Sequence, residues 1–400
     1  MQVGIIGKPN AGKSTFFSAA TLMMVPIANY PFTTVRPNHG TSYLRTKCVC
    51  RTLGIEDQPK NSKCIDGERF IPVDLVDLPG LVPGAWEGRG LGNQFLDEVR
   101  RADALIHVVD ASGSTDSEGK LAAPGSHDPQ EDVSFLEREL EMWMFQILNK
   151  EWDKIARRSD LTMDELALAI SERLSGLGVK RLDVEESLKT VGLRGKASGW
   201  LREDLMRLVR LLRETSKPVL LAANKIDLPT SPSNFERLRG KDPLTLSVSA
   251  EAELALRRAA EKGMISYKPG DTTFSVEGGV APTAEQKVAL ETIRDRVLKP
   301  FGTTGVQECI NSAFLRLLDM IVVYPVEDPE HLTDHSGNIL PDAFLVPRGT
   351  TLKELAARIH SELAESLLYG INARNSMRLA ESYVVKEGDV VSMVSTSQRR

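Results

Sequence analysis

The sequence has 400 residues, which is enough for two or three domains with their own cores. A net charge of -5 and a sequence pI near 5.8 exclude a chain that binds nucleic acid through its overall charge, so any RNA contact requires a local basic patch. No apolar leader precedes Gly7, and no apolar run approaches the roughly 20 residues of a membrane helix. We therefore expect a cytoplasmic protein with reduced cysteines and no membrane partner.

The first predicted element is a buried strand at residues 3–6, followed by GKPNAGKS at residues 7–14 and an apolar helix start. This order satisfies the G-x-x-x-x-G-K-[ST] motif in its strand–loop–helix context. Glycines let the backbone N–H groups surround phosphates. We expect Lys13 to neutralise the β- and γ-phosphates and Ser14 to place its hydroxyl on Mg²⁺. The predicted nucleotide-binding residues here are Asn10, Ala11, Gly12, Lys13, Ser14 and Thr15.

The segment between the loop helix and the next strand contains Thr33 and Thr34. A threonine at this place can offer Mg²⁺ a second hydroxyl and sense the γ-phosphate. Either residue could do so, and we favour Thr34 as the metal ligand and as a catalytic residue.

Three of the four cysteines, Cys48, Cys50 and Cys64, follow in the chain. They could contribute to a metal site with His39 as a distant fourth ligand. Their spacing fits no established zinc pattern, so plain hairpin cysteines are the favoured interpretation.

A predicted strand at residues 71–76 leads into Asp77-Leu78-Pro79-Gly80. Asp77 can hold Mg²⁺ through water, and the Gly80 N–H can bond the γ-phosphate, which would couple the next loop to the bound nucleotide. Many GTPases place a water-orienting Gln after this motif, whereas the side chain of Leu81 can neither donate nor accept a hydrogen bond. We therefore predict slow hydrolysis unless a partner, another loop or a cation supplies the missing group. The cation would be K⁺ at Asn10, whose alternative role is a local turn hydrogen bond.

After a third apolar strand at residues 104–109, the pattern becomes helical over residues 124–217. Thr162 and Glu165 form a capping-box pattern, and leucines recur at four-three-four spacing from Leu201 to Leu212. This stretch is predicted to be a helical insertion between two strands of the sheet. Apolar residues on one helical face are Leu136, Leu140, Trp143, Met144, Ile147 and Leu148.

The insertion also contains a run of basic residues. Arg207, Arg210 and Arg213 recur every three residues and lie near one helix face, with acidic residues between them. A solvated mixed-charge face is the ordinary interpretation, and RNA contact is the alternative. The full basic set is Arg194, Lys196, Arg202, Arg207, Arg210, Arg213 and Lys217.

A fourth apolar strand, residues 219–223, precedes Asn224-Lys225-Ile226-Asp227. The Asp227 carboxylate can accept hydrogen bonds from N1–H and N2–H₂ of guanine, an edge that adenine lacks. Asn224 can bond guanine N7, the Lys225 stem can cover the base, and the backbone of Ser249 and Ala250 can meet O6. This pattern predicts selection of guanine nucleotides.

The last segment contains a strand at residues 321–325, a helix capped by Thr351 and two short strands near residues 384–391, which indicates a small β-grasp domain. Unalternated apolar strands joined by helices predict an α/β P-loop NTPase with a mostly parallel sheet. The predicted domains are residues 1–123 with 218–318, the helical (coiled-coil-like) insertion 124–217 and the β-grasp domain 319–400. Basic residues in the last domain are Arg348, Lys353, Arg358, Arg374 and Arg378.

The motif order GKPNAGKST, NYPFTTVRPN, DLPGLVPGA and NKID resembles the Obg-like GTPases over essentially the whole chain. The Gly-rich run at residues 84–92 and the helical insertion resemble the YchF-related branch, especially its archaeal members, and the C-terminal segment resembles a TGS domain. The resemblance implies a nucleotide hydrolase associated with ribosomes or RNA in translation. Some members of this branch lack the guanine-reading Asp and prefer ATP. Because Asp227 is present, we predict GTP and GDP as ligands, with an ATP-preferring hydrolase or a P-loop small-molecule kinase as alternatives.

Overall fold

The computed structural model describes residues 1–23, 37–81, 84–87, 92–158, 162–192, 196–277 and 279–396. Thr33, Thr34, Arg194 and residues 88–91 of the Gly-rich run lie outside the described residues. The chain forms two compact units. The first unit comprises residues 1–41 and 74–309, and the second comprises residues 42–73 and 310–400.

The first unit is organised around a parallel sheet. The first nine strands of the chain are β1 (Gln2–Ile6), β2 (Asn38–Lys47), β3 (Lys63–Ile65), β4 (Glu68–Asp77), β5 (Ala104–Asp110), β6 (Val219–Asn224), β7 (Leu246–Ser247), β8 (Ile265–Ser266) and β9 (Ser275–Val276). Strand β3 belongs to the second unit, β2 and β4 are each divided between the two units, and β8 and β9 pair only with each other among the described strands. Neighbours follow the order β4-β1-β5-β6-β7, and every one of these pairs is parallel. The loops after β1, β4 and β6 therefore emerge at the same edge of the sheet, where ligands of such sheets bind.

Helices connect these strands. In chain order they are α1 (Lys13–Thr21), α2 (Val49–Leu53, in the second unit), α3 (Gly92–Arg101), α4 (Pro129–Asn149), α5 (Trp152–Arg158), α6 (Met163–Leu174), α7 (Arg181–Val191), α8 (Arg202–Ser216), α9 (Ser231–Lys241), α10 (Ala250–Glu261), α11 (Ala284–Ile293), α12 (Lys299–Phe301) and α13 (Val306–Ser312). The strand β5 is buried along its whole length, as expected for a strand covered on both faces. The predicted α/β fold with a mostly parallel sheet is confirmed.

Helices α4 to α8 form the predicted helical segment. Its apolar core includes Met144, Leu148, Ile170 and Leu208, which are buried against one another. The Trp152 and Trp200 rings stack beside this core with centroids 5.6 Å apart. One leucine of the predicted seam does not join it. Leu201 is 66% exposed because it is the residue that precedes α8, where the chain has not yet entered the helix.

The second unit contains β10 (Met320–Val326), β11 (Phe344–Pro347), α14 (Leu352–Ile359), α15 (Ser361–Glu365), β12 (Leu367–Asn372), β13 (Met377–Leu379) and β14 (Val390–Ser395). Its strands form a separate five-stranded sheet in the order β11-β10-β14-β12-β13. Only β10 and β14 pair in parallel among the pairs described, as in a β-grasp arrangement. Ile321, Val323, Leu352, Leu355 and Val391 lie in its core.

Two local predictions for this unit have different outcomes. Thr351 caps α14 through a capping box with Glu354, as predicted. Of the two strands predicted around a turn near residues 384–391, the second is confirmed as β14, which begins at Val390 after a left-handed turn at Gly388. The first is wrong, because Val384 makes only an isolated bridge to Thr351 and no continuous ladder.

The second unit also includes residues 42–73, far from its other residues in sequence. Backbone bonds explain the association: the N–H of Gln58 donates to Ile339 O at 2.8 Å and that of Lys60 donates to Pro341 O at 2.7 Å. In the part of the chain that the structure describes, no helix combines the length and apolar composition of a membrane span.

Candidate functional site

The loop between β1 and α1 has a backbone that favours glycine. Gly7, Asn10 and Gly12 have φ values of 146°, 60° and 97°. A Cβ at Gly7 would lie 2.3 Å from Val108 O, and one at Gly12 would lie 2.2 Å from Asn224 Nδ2. Helix α1 begins directly after Gly12, so the N–H groups of its first turn, which lack helical partners, are directed toward the loop. This geometry suits a bound phosphate.

Lys13 is the buried cation of the loop. Its Nζ donates to Lys8 O at 2.8 Å, which turns the side chain back over the loop. Burial lowers the pKa of Lys13 to about 8, although the carboxylate of Asp77 acts in the opposite direction. Under the loop, burial together with Lys13 and Lys8 lowers the pKa of His107 to about 3, so this imidazole is neutral. The imidazole therefore adds no charge, and the ammonium of Lys13 supplies the positive charge where a phosphate would bind.

Ser14 and Asp77 are adjacent although they are far apart in sequence. The Ser14 hydroxyl donates to Asp77 Oδ2 at 2.9 Å, and Asp77 is fully buried at the end of β4. Both groups offer oxygen atoms, the donor type that Mg²⁺ prefers. P-loop GTPases generally use this ion. The donor chemistry therefore fits Mg²⁺, and the third predicted ligand, Thr34, lies outside the described residues.

The segment after Asp77 contacts the loop through its backbone. The Leu81 N–H donates to Gly7 O at 3.2 Å, and a Cβ at Gly80 would come within 3.0 Å of the Pro9 ring. The Leu81 side chain is buried in an apolar cluster that includes Ile6 and Phe95. This leucine therefore packs in the core and presents no group to a nucleotide.

Asn224 joins two loops of the predicted nucleotide site. Its Nδ2 donates to Ala11 O at 2.9 Å, and its Oδ1 accepts from the Ala250 N–H at 3.1 Å. One buried side chain thus holds the phosphate loop against the loop that begins α10.

Asp227 is also held by the loop that begins α10. The Ser249 hydroxyl donates to Asp227 Oδ1 at 2.8 Å, and Ser249 is also the residue that caps α10. Lys225 has a left-handed backbone, and its ammonium pairs with Asp110 Oδ2 at 2.8 Å. Burial alone would raise the pKa of Asp110, but Lys225 and neighbouring hydroxyls hold it below its usual value.

Sequence reasoning missed several residues around this site. Lys8 is buried and forms an ion pair of 2.8 Å with Asp132 near the start of α4. Asn10, in contrast, was predicted from sequence, and its Nδ2 donates to Gly119 O at 2.8 Å, a partner outside the local turn. Asp110 was also missed. Of the missed residues, only Asp110 could have been found from the sequence. A carboxylate that directly follows a buried strand, at the sheet edge where the other loops emerge, is a typical site residue.

Glu139 of α4 was missed as well. It is buried and accepts from the Gly84 N–H at 2.9 Å and the Trp86 N–H at 3.0 Å. These two amides belong to the segment that follows Asp77-Leu78-Pro79-Gly80. The helical segment is therefore bonded directly to the loop that is predicted to sense the γ-phosphate.

The predicted basic face of α8 is only partly available. Arg213 is buried and faces Glu141 at 3.4 Å, while Arg210 lies 3.4 Å from the same carboxylate. Lys217 is also buried and donates to the Arg100 and Ala102 carbonyls. Arg213 and Lys217 therefore do not belong to an RNA-binding surface, because the fold uses their charges internally.

Three family models match successive parts of the chain. A model described as a 50S ribosome-binding GTPase matches residues 2–150. One for the G4 motif-containing domain of the YGR210-like Obg-like GTPases matches residues 222–328, and a TGS-domain model matches residues 336–395. The fold and the arrangement of loops thus define a P-loop GTPase with a C-terminal TGS domain.

Similar proteins extend this result to the whole chain. A GTP-binding protein of Methanocaldococcus jannaschii is 47% identical over 99% of both chains. The crystal structure of a GTP-binding protein from Pyrococcus horikoshii is 40% identical, with a TM-score of 0.77 over 99% of this chain and 100% of that one. The ribosome-binding ATPase YchF of Bacillus subtilis is 26% identical over 98% of each chain. The chain belongs to the Obg-like, YchF-related P-loop GTPases, as its motifs predict.

Proposed function

We propose that this chain binds GTP with Mg²⁺, hydrolyses it slowly on its own, and uses the GTP and GDP states to change its binding to ribosomes or RNA in the cytoplasm. Within this proposal the catalytic residues are Lys13, Thr34 and Gly80, and the Mg²⁺ ligands are Ser14, Thr34 and Asp77. We retain the domain limits proposed from sequence, with residues 1–123 and 218–318 as the nucleotide domain.

The observation that carries the proposal is the position of Asn224. It bonds both Ala11 of the phosphate loop and Ala250 of the loop predicted to meet guanine O6. A phosphate site and a base site are thereby held at a constant separation, as a nucleoside phosphate requires. The Asp227 carboxylate, oriented by Ser249, supports guanine over adenine, because only guanine offers it two N–H donors.

The phosphate end supports hydrolysis. Lys13 brings a buried positive charge, and desolvation makes its interaction with a transferring phosphoryl group stronger than it would be in water. Mg²⁺ held at Ser14 and Asp77 would neutralise charge on the β- and γ-phosphates. Leu81, buried in the apolar core, leaves the attacking water without the usual glutamine, which supports a slow basal rate.

The contact of Glu139 supports a switch. A change at Gly80 on γ-phosphate binding would move the next residues, and Gly84 and Trp86 are bonded to Glu139 of α4. The nucleotide state could thus reach the helical segment through two hydrogen bonds. Through these bonds, the conformation of the helical segment would differ between the GTP and GDP forms.

A second candidate is an ATP-preferring hydrolase, because the related Bacillus subtilis protein is named an ATPase. Competition of GTP and ATP for a fluorescent nucleotide decides between the two. We expect GTP to bind more tightly by a factor of about ten or more, the value of one good charged hydrogen bond. Equal affinities would contradict the guanine assignment, and tighter binding of ATP would favour the second candidate.

The partner is tested by sedimentation with purified ribosomal subunits, with the protein loaded in turn with GDP and a non-hydrolysable GTP analogue. We expect co-sedimentation that depends on the nucleotide. In Glu139→Ala, binding should become independent of the nucleotide, while the neighbouring Arg138→Ala serves as a control. If neither nucleotide form sediments with either subunit, the ribosome is not the partner.

A further inference from the structure

Four side chains of the second unit converge on one another. Cys48, Cys50, Cys64 and Asp57 place their ligand atoms within 4.8 Å of one another. The Cys48 Sγ donates to Asp57 Oδ2 at 3.0 Å, and the sulfurs of Cys50 and Cys64 are 3.9 Å apart. We call these four residues the thiol–carboxylate cluster.

Local structure explains how they meet. Cys48 is the cap of the short helix α2, and its N–H donates to Gly67 O at 2.9 Å, in the turn between β3 and β4. That bond brings the β3–β4 hairpin against α2 and places Cys64 beside Cys50. Asp57 comes from the segment that leaves α2. The cluster is thus built by three backbone segments and not by one flexible loop.

The surroundings suit a charged ligand set. Cys48 and Cys50 are buried, while Cys64 is partly exposed and gives an ion a way in. Arg69, fully buried, donates to Asp57 Oδ2 at 2.8 Å and to Leu340 O at 2.5 Å. A divalent ion bound by three thiolates and a carboxylate retains net negative charge, and this guanidinium would offset part of it. Outer partners of this kind orient metal ligands and adjust their basicity.

From this geometry we propose that the thiol–carboxylate cluster binds a single zinc ion in tetrahedral coordination. Two sulfur ligands at about 2.3 Å from a tetrahedral zinc lie about 3.8 Å apart, which matches the Cys50–Cys64 separation of 3.9 Å. Three sulfurs and one oxygen select zinc over Mg²⁺ or Ca²⁺, which prefer oxygen. The ion closes all four positions with protein ligands, so its role is structural: it joins α2 to the β3–β4 hairpin.

The sequence alone does not indicate this site, for two reasons. The spacing C-x-C-x₆-D-x₆-C differs from the paired CxxC patterns of familiar zinc sites. The fourth ligand is a carboxylate, and His39, the ligand that sequence reasoning considered, instead contacts the Gln2 side chain at 3.0 Å. Only the fold brings Asp57 to the sulfurs.

The test uses the full-length protein, reduced, stripped of metal with a chelator and kept in Mg²⁺ and GDP so that the nucleotide site is filled. Zinc is measured by mass spectrometry after gel filtration, and Co²⁺ is titrated while its spectrum is recorded. We expect about one zinc per chain, and with Co²⁺ a thiolate charge-transfer band and tetrahedral visible bands. Thiolate bands would show that Co²⁺ is not bound at the nucleotide site, because the predicted metal ligands of that site contain no sulfur.

Matched variants locate the ion. Cys64→Ser and Asp57→Asn should weaken zinc at least about tenfold, the loss that changes at outer partners alone can cause. Cys309→Ser removes a buried thiol outside the cluster and should retain full zinc. Fluorescent GDP binding, which depends on the first unit, and thermal unfolding show that each variant is folded. Should Cys64→Ser not fold, the Co²⁺ spectrum of the parent and the zinc content of Asp57→Asn decide the question.

Three results would overturn the proposal. They are a reduced parent protein that binds no zinc and gives no thiolate band with Co²⁺, zinc content unchanged in Cys64→Ser and Asp57→Asn, and a Cys50–Cys64 disulfide recovered quantitatively from cells by rapid alkylation. None of them bears on GTP binding, so this proposal and the proposed function can fail separately.

Discussion

The phosphate end and the base end of the candidate nucleotide site are built by different means. At the phosphate end, Lys8, Lys13 and Asp77 are buried charges, and burial lowers the pKa of Lys13. At the base end, Asp227 and Lys225 are only partly buried. Asn224 holds the loops through neutral hydrogen bonds, and the Ser249 hydroxyl donates to the Asp227 carboxylate.

This difference assigns separate tasks to the two ends. A buried charge interacts strongly with a charge that develops during a reaction, so the phosphate end should control the rate. A carboxylate oriented by a hydroxyl selects a donor pattern, so the base end should control which nucleotide binds. Changes at one end should leave the task of the other largely intact.

The largest effect is expected from Lys13→Ala and Ser14→Ala. Each removes charge compensation at the transferring phosphate, and we expect turnover to fall by at least about 100-fold. Single-turnover hydrolysis of GTP measures this loss. Lys262→Ala, at an exposed lysine of the same unit, is the control. Normal turnover in either variant would place the chemistry elsewhere and remove the distinction between the two ends.

Asp227→Asn should change selection instead of rate. Loss of a charged acceptor typically costs roughly 1.5–3 kcal/mol, so GTP affinity should fall about ten- to a hundredfold, and xanthine nucleotides should bind relatively better. Equilibrium titration with guanine, xanthine and adenine nucleotides gives the answer, with exposed Glu236→Gln as the control. If Asp227→Asn keeps its preference for guanine but loses turnover, the two ends do not have the separate tasks assigned to them.

A pH dependence should belong to the phosphate end alone. The pKa of Lys13 is about 8 in the protein by itself, and a bound phosphate favours the charged amine. Affinity should therefore be full below pH 8 and should fall above it, by at most about tenfold per pH unit, with proton uptake on binding. Titrations of GDP between pH 7 and pH 9 in two buffers of different ionisation enthalpy measure both quantities.

Lys13→Arg supplies the control for this prediction, because the guanidinium stays charged throughout the range. Its GDP affinity should not follow the Lys13 titration. If the parent and Lys13→Arg show the same decline with pH, the titrating group is not Lys13.

The smallest effect concerns Asn10. Its Nδ2 bonds Gly119, so a cation would bind through the amide oxygen. We expect K⁺ to raise basal GTP hydrolysis a few-fold over Na⁺ at equal ionic strength, and Asn10→Ala to abolish the difference. Identical rates in both salts for both proteins would exclude the cation route and leave a partner or another loop to supply the missing group.

The local sequence determined the α/β fold with its mostly parallel sheet. It also determined the strand–loop–helix unit that contains the phosphate loop and the helix capped by Thr351. These features depend on residues a few positions apart, where glycine, capping residues and apolar periodicity act directly on the backbone. The nucleotide-site residues Lys13, Ser14, Asp77, Asn224 and Asp227 were likewise named from motifs, and their roles stay predictions.

Tertiary structure decided which distant side chains meet. Lys8 with Asp132, Glu139 with Gly84, and Asp57 with the three cysteines come from segments whose spacing follows no local period. The same cause made the basic face of α8 misleading, because burial of Arg213 and Lys217 depends on neighbours that packing brings together. Burial sets the strength of a charge, and burial is a property of the folded chain rather than of a motif.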